Sequence, residues 1–598
     1  MKKNIFIKFL SKISTNGLTL LLVLSLLLML SGVGYSQQEI DQLSLVIMHT
    51  NDIHARLDNF NYLSLKEESG SLAQVYTLVK QIREENEFTL LLDAGDFIEG
   101  SSTVTPAHLG QDPLAPHPVA KVMRMMGFDA TCAGNHEFNF PIDVLNKIVR
   151  EVGFPVLSAN VLNAAGYPYF IPYVLKRVGP VTVGILGATT PIVATVEPYE
   201  NIPDLTFADP VEMAKKYVPE MKEAGADVII ILQHSGWEKR PDEREAVGEV
   251  WMDLADWADT TEEYAFALRL AQVPGVDVVL SGHSHVNIPQ ALVPTTTTGN
   301  VLVQESSCHG KVLGQVAITL EKLDNKWVIT GKSGTNVSTS KVDVAPEIIE
   351  AVKYYHDQTV AFNSIPIIEA RETMVGGLQA KFHDDPLTEF IGDAMLWYVA
   401  TQSGRSCDIA AAFCTGNDSF ILEAGPVTVG HLAALHPWSN TIQMLELTGA
   451  DLKAALEHMY ASFKNYTGEE QSLEEFNPGV FLSWQGAEFR VDLTNPAGAR
   501  IVDFKCKGID VKPDQLYTIC MENYTAGGGH DFTWFRDSEL LWGSLEYIPN
   551  ILVEYIKAHP GKEVLTSEVD NNWAMIQDLS GLIEKWTKSR LEALESGE

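Results

Sequence analysis

Eight residues with catalytic or metal-binding chemistry fall directly after apolar runs in this sequence. Asp52 and His54 follow LSLVIM, Asp96 follows FTLLLDAG, Asn135 and His136 follow FDATCAG, His234 follows DVIIIL, and His283 and His285 follow VDVVLSG. A single His or Asp in such a place is ordinarily a hydrogen-bonded residue or a helix cap. Carboxylate, amide and imidazole donors at five strand ends together are hard to explain as caps. They form the mixed oxygen and nitrogen set that borderline divalent cations favour, Zn²⁺ or Mn²⁺ first, with Co²⁺ and Mg²⁺ as further candidates. Two such cations about 3.5–4 Å apart need a shared carboxylate, and Asp96 is the candidate. The chemistry open to such a pair is hydrolysis, because two cations acidify water and offset charge on the group it attacks.

Residues so far apart in sequence converge only if the fold gathers its strand ends. Apolar runs at 43–48, 88–95, 181–187, 227–232, 276–282 and 301–305 alternate with LAQVYTLVKQIREE and PVEMAKKYVPEMKEAG, whose apolar residues recur at helical spacing. Continuous apolar strands separated by helices imply an α/β domain with sheets buried on both faces. In open sheets of this kind ligands gather outside the carboxyl ends of the strands. This reading assigns 43–332 to the first domain, 333–365 to a polar linker with a helix, 366–560 to a second α/β domain and 561–598 to a helical tail.

At 598 residues the chain has room for two to four domains, and a hydrophobic share of 45% is ample for large cores. Lys2, Lys3, Lys8 and Lys12 precede the apolar run LTLLLVLSLLLML and the small residues SGVGYS. That is the pattern of a secretory signal peptide over 1–36; an uncleaved membrane anchor is the alternative, for which the run is short. No Cys follows the run, which argues against a lipoprotein anchor. The formal charge is −35, and removal of the four lysines of residues 1–36, which contain no acid, makes it −39. Such a field repels polyanions, so extended DNA or RNA is a poor partner, whereas a small anion can bind where cations reverse the local sign. Six cysteines permit disulfides without forming a dense framework. Cys506 and Cys520, on successive strand-like runs, either pair or stay as free buried thiols.

Taken together, DIH, GDFIEG, GNHE, LQHSG and GHSH resemble the five motifs of the calcineurin-like metallophosphoesterases. The resemblance implies a four-layer α/β/β/α domain. It makes Asp52, His54, Asp96 and His285 ligands of one cation, and Asp96, Asn135, His234 and His283 ligands of the other. His136 and Asn135 become the catalytic residues, His136 as a non-ligand beside the substrate phosphate, with Glu137 as a support.

The C-terminal half is similar to the nucleotide-recognition domain of the 5′-nucleotidase family, so the likeness runs from about residue 43 to 560. In LHPWSNTIQMLELTGADLKAALEH and YTICMENYTAGGGH it implies that Trp438 and Tyr524 sandwich a base, and that Gly528 and its neighbours let backbone approach the ligand. Base–aromatic stacking of about 1–3 kcal/mol per base suits such a pair; ordinary core aromatics are the alternative. FCTGNDSF stands where nucleotidases carry a glycine-rich segment ending in Arg, which leaves Lys381 as the substitute cation.

ARLDNFNY, GNHEFN, FADPVEMAKKYVPEMKEAGADVIIILQHSG and FHDDPLTEF resemble the exported bifunctional 2′,3′-cyclic-nucleotide 2′-phosphodiesterase/3′-nucleotidases. The implied protein is a periplasmic monomer that holds two divalent metal ions, acts on small nucleotides and has no membrane span once the signal is removed. A 5′-nucleotidase or nucleotide-sugar diphosphatase, and a non-catalytic exported ligand-binding protein, are the alternatives. Asn139 stands where many 5′-nucleotidases have Asp. It orients His136 without supplying charge, so a less basic His136 is expected.

Overall fold

The structure is a computed structural model and describes residues 41–588 apart from 63–65, 102–115, 239–249, 252–263, 296–298, 377–379, 414–419, 462, 464–480, 560–563 and 586–587. The signal-peptide expectation and most of FCTGNDSF lie outside the described residues.

Two sheets form the middle of the first domain. One has the order Lys326–Ser338, Val312–Leu323, Gln42–Thr50, Thr89–Asp93, Ala130–Cys132, Val156–Leu157; the other includes Asn287–Pro294, Asn300–Ser306, Val278–Gly282, Val228–His234, Val181–Thr189 and Tyr173–Val178. Leu45, Ile47, Leu90 and Leu92 pack against Val183, Ile185, Ile230 and Leu280 between the sheets. Their neighbours Val46, Met48 and Leu91 join a separate core with the helices Leu72–Glu85, Pro118–Met126 and Ile142–Val152. On the far side Ile229, Ile231 and Val279 pack on Pro210–Glu223 and Ala267–Ala271. This is the expected α/β/β/α layering, and it explains the unbroken apolar runs: each central strand buries both faces. Gln42–Thr50, Thr89–Asp93 and Ala130–Cys132 pair in parallel, as do Val228–His234 and Val278–Gly282, so within each sheet these carboxyl ends share a rim.

The linker assignment needs correction at its start. Residues 333–338 continue the strand Lys326–Ser338, which pairs along Val312–Leu323. Its exposed and half-buried residues alternate, as suits a sheet edge with one wet face, and that polarity reads as linker in the sequence. The helix Pro346–Asn363 is docked on the first domain: Ile348 and Val352 enter its core, and His356 Nδ1 lies 3.2 Å from Asp58 Oδ2 and 3.0 Å from the Tyr62 hydroxyl.

The second domain is built on a mixed sheet ordered Leu482–Gln485, Ile409–Phe413, Leu516–Glu522, Thr441–Thr448, Glu539–Tyr547. Helices Pro386–Ser403 and Ile548–Ala558 cover one face, and Gly449–Ala461 the other. The helical-tail assignment is also corrected. Val564–Leu565 pairs with Pro366–Ala370, and Trp573–Met575 pairs with Ala487–Val491, burying Trp573 in the core. Cys506 and Cys520 are both free buried thiols. No helix among the described residues is long and apolar enough to cross a membrane.

Candidate metal centre

Asp96 sits where the loops after two strands meet. Its backbone N–H donates to Glu137 Oε2 at 2.9 Å, and its Oδ1 accepts the His136 N–H at 2.8 Å. Glu137 is fully buried and also accepts from Gly134 N at 2.6 Å, Phe97 N at 2.8 Å and Ile98 N at 3.2 Å. One carboxylate therefore ties GDFIEG to GNHE. Gly134 is required by space: a Cβ there would lie 2.2 Å from Asp96 Oδ1.

Around Asp96 the structure brings together the seven residues expected as ligands. Asp52, His54 and His285 place ligand atoms within 4.8 Å of one another, and so do Asp96, His234 and His283. His283 N–H donates to Asp52 Oδ2 at 2.9 Å, and its Nδ1 is 2.8 Å from Asn135 Oδ1. Asp52, His54, Asp96, His283 and His285 all have φ between 49° and 84°. That left-handed conformation costs a residue with a Cβ about 1–2 kcal/mol, and here it turns five side chains back over the strand ends.

The donor set fits divalent cations on the evidence of its nitrogens. His234 donates from Nδ1 to Ala94 O at 2.6 Å, so its buried Nε2 faces Asp96 Oδ2 at 2.8 Å and Asp52 Oδ1 at 3.6 Å. His54 Nδ1 is committed to Glu99 O at 2.9 Å, which leaves its Nε2 facing His285 Nε2 at 3.0 Å. Atoms so arranged need a positive species among them. Burial opposes charge on His234, yet Asp96 and Asp52 raise its pKa to about 10. Burial likewise opposes charge on His285, but Asp52 holds it well above the usual range, while burial holds His283 down at about 3 as a neutral ring.

His136 is held from behind. Its Nδ1 is 2.5 Å from Asn139 Oδ1 and 3.3 Å from Glu99 Oε2, so Nε2 turns toward Asp96, 4.0 Å from Oδ2. Asn139 Nδ2 donates to Glu197 Oε1 at 2.7 Å, which fixes the amide. The expected lower basicity of His136 is relative to enzymes with Asp at 139; in this chain other carboxylates bear on its charge. Burial works against its charge, but Asp96 and Glu99 outweigh it and raise the ring to about 10. Glu99, inside GDFIEG, supplies the charge that Asn139 lacks. Sequence reasoning also missed Cys308, half-enclosed by histidines: burial pushes the thiol up, but hydrogen bonds to His285 and His309 bring it down to about 5.

From the second domain, the Trp438 ring stacks on His136 (centroids 5.4 Å apart, planes at 20°) and meets His54 edge-on at 5.6 Å. Ser439 pins this loop through Oγ to Glu99 Oε1 at 2.8 Å. Trp438 thus touches the candidate ligand cluster, and the Tyr524 ring lies edge-on to His530 at 5.0 Å. Gly528 has φ +96°, and a Cβ there would meet Arg536 Cβ at 3.0 Å; a Cβ on Gly527 would strike Thr195 O of the first domain at 2.3 Å. The glycines therefore have conformational and interdomain packing reasons of their own. Lys381 is half-buried ahead of Pro386–Ser403, beside Phe382, whose ring packs on Phe463 at 5.8 Å.

Residues 45–287 match the family model of calcineurin-like phosphoesterases, and 368–537 that of the 5′-nucleotidase C-terminal domain, together more than half of the chain. That makes it a metal-dependent phosphoric ester hydrolase. It belongs to the 5′-nucleotidase family, with the catalytic-type domain first and the nucleotidase domain second. It is 27% identical over 93% of its length to the trifunctional nucleotide phosphoesterase protein YfkN of Bacillus subtilis, of which it spans 40%. Against a 2′,3′-cyclic-nucleotide 2′-phosphodiesterase/3′-nucleotidase of Haemophilus influenzae the identity is 28%, over 89% of this chain and 87% of the relative. A putative 5′-nucleotidase of Staphylococcus aureus shares the fold, with a TM-score of 0.72 at 21% identity over 89% of this chain and 99% of that one.

Proposed function

We propose that the protein is an exported nucleotide phosphoesterase that opens 2′,3′-cyclic nucleotides to 3′-nucleotides and hydrolyses these to nucleoside and phosphate. Asp52, His54, Asp96 and His285 would hold one divalent cation and Asp96, Asn135, His234 and His283 the other, with Zn²⁺ or Mn²⁺ suited to the nitrogen-rich set. Two cations there supply positive charge against a phosphate dianion and lower the pKa of water.

The chain's own side chains have separable tasks. Asn135 offers a neutral oxygen. His136, oriented by Asn139 and Glu99, presents Nε2 to a phosphoryl oxygen or to the leaving sugar oxygen. Trp438 offers a face to a base, and Tyr524 is assigned the opposite face. The observation that carries this reading is the Trp438 ring against His136 and His54, which supports a base-binding role for it beside the candidate metal cluster. The cyclic and 3′ specificity is supported by the relative of that name over nine-tenths of this chain. The basic and apolar N-terminus supports export, and the periplasm is the assigned site of action.

The deciding experiment compares 2′,3′-cyclic AMP, 3′-AMP and 5′-AMP on one purified preparation with Mn²⁺ or Zn²⁺. Preference for the first two is the expected result. A strong preference for 5′-AMP overturns the specificity, and no turnover of any of them overturns the assignment as a nucleotide hydrolase.

A further inference from the structure

A second group of carboxylates lies in the other domain, at the start of the helix Pro386–Ser403 and on the stretch leading into Trp573–Met575. Asp384, Glu389 and Asp570 each place an oxygen within 4.8 Å of the other two. Carboxylates at such separations cannot all carry charge without a positive species among them.

Asp384 is the buried member, at 6% exposure, and its Oδ2 has no hydrogen-bond partner among the described residues. Oδ1 accepts the Asp385 N–H at 3.1 Å. A buried carboxylate that lies among two further carboxylates is costly to fold around unless a proton or a cation is shared among them. Asn572, 8% exposed, adds an amide Oδ1 that is likewise buried without a partner, while its Nδ2 donates to Trp484 O and Gln485 Oε1.

The backbone already fixes the geometry. Asn572 N–H donates to Asp570 Oδ1 at 2.9 Å, and Asp570 N–H donates to Glu389 Oε1 at 2.8 Å. A cavity of about 230 Å³, lined also by Asp393, Tyr555 and Glu568, borders Glu389.

We propose that Asp384, Glu389 and Asp570 bind a calcium-class cation, apart from the imidazole-rich centre, and that this cation clamps the segment around Asp570 to the first turn of Pro386–Ser403. The donors are all oxygens, which suits a hard cation, whereas imidazoles suit borderline ones. Three carboxylates compensate a divalent charge. The exposed Asp570 leaves room for the waters that complete a shell of about six to eight oxygens. The clamp acts on fold: it fixes the approach to Trp573–Met575, the strand that pairs with Ala487–Val491 and buries Trp573.

The test uses the full purified chain with its imidazole-rich centre saturated with Mn²⁺, and titrates Ca²⁺ alone. Calorimetry should find one Ca²⁺ per chain. At 100-fold excess over Kd the melting temperature should rise by about 5 °C, with slowed hydrogen exchange over residues 564–575. Asp570→Asn and Glu389→Gln should each abolish the rise and leave Mn²⁺-dependent turnover within about twofold, as expected of distant sites. If Glu389→Gln does not fold, Asp570→Asn, at an exposed position, carries the comparison. A wild-type chain indifferent to millimolar Ca²⁺, or the same rise in Asp570→Asn, overturns the proposal.

Discussion

Asp96 and Trp438 flank the same imidazole, His136, and are held in very different ways. Asp96 is enclosed: its N–H is on Glu137, Oδ1 is on the His136 N–H, Oδ2 is against His234, and Gly134 leaves no spare volume beside it. Trp438 is half-buried and positioned by ring contacts and by its neighbour Ser439. Other bonds between the domains include Asn523 Nδ2 to Val196 O at 2.8 Å and the Tyr547 hydroxyl to Asn139 O at 3.3 Å. The ligand cluster is thus over-determined inside one domain, whereas Trp438 reaches it from the other. The two should be separable by mutation.

The largest effect is expected at Asp96. Asp96→Asn should lower turnover by at least about 10³-fold and reduce the metal content found by elemental analysis; an unchanged metal content would break the enclosed half of the contrast. Glu137→Gln comes next. An amide nitrogen would face backbone N–H groups that need acceptors, so metal affinity should fall by about 10–100-fold, as when groups behind a ligand are lost, measured by competition with a chelating dye. Loss of thermal stability with unaltered affinity would show that Glu137 holds the fold and not the ligands.

Trp438→Ala should raise KM for 2′,3′-cyclic AMP by about 10-fold, the scale of one base stack, and leave bis(p-nitrophenyl) phosphate turnover unaffected. Equal losses on both substrates would mean that Trp438 acts through His136, and the separation would fail.

The smallest effect concerns Glu197, the residue behind Asn139. Burial raises its carboxyl from 4.5 to about 7. A raised acid in the folded state favours folding while it is protonated, so this contribution is complete below about pH 4.5 and is lost as pH rises through about 7. Glu197→Gln should flatten that part of the stability profile in thermal melts from pH 5 to 8; an unchanged slope would remove Glu197 from the account.

The candidate ligands were legible because donors that follow apolar strands have few other reasons to recur at five strand ends. The layering was legible for a related reason, since strands buried on both faces announce themselves as unbroken apolar runs. Lys326–Ser338 was not, because an edge strand with a wet face has the composition of a linker. Glu99 stands inside a recognised motif, yet its role depends on His136 from one strand end and Ser439 from another domain, which no local pattern encodes. Glu197 belongs to no motif at all. Lys381 and Gly528 were reached through a missing Arg and a loop composition, neither of which encodes what the fold packs around them.

The five left-handed residues of the rim carry one more implication, about how this sequence can change. At each, the residue type proposed to serve the cations is the one the backbone tolerates poorly, and a glycine would relax the chain by up to about 1–2 kcal/mol while deleting a candidate ligand. A lineage released from the need for turnover would therefore be drawn downhill at these positions, gaining robustness with every ligand it discarded. A sequence that still carries all five is paying for an occupation that folding alone would oppose, and this sets it apart from a retired scaffold kept only for capture.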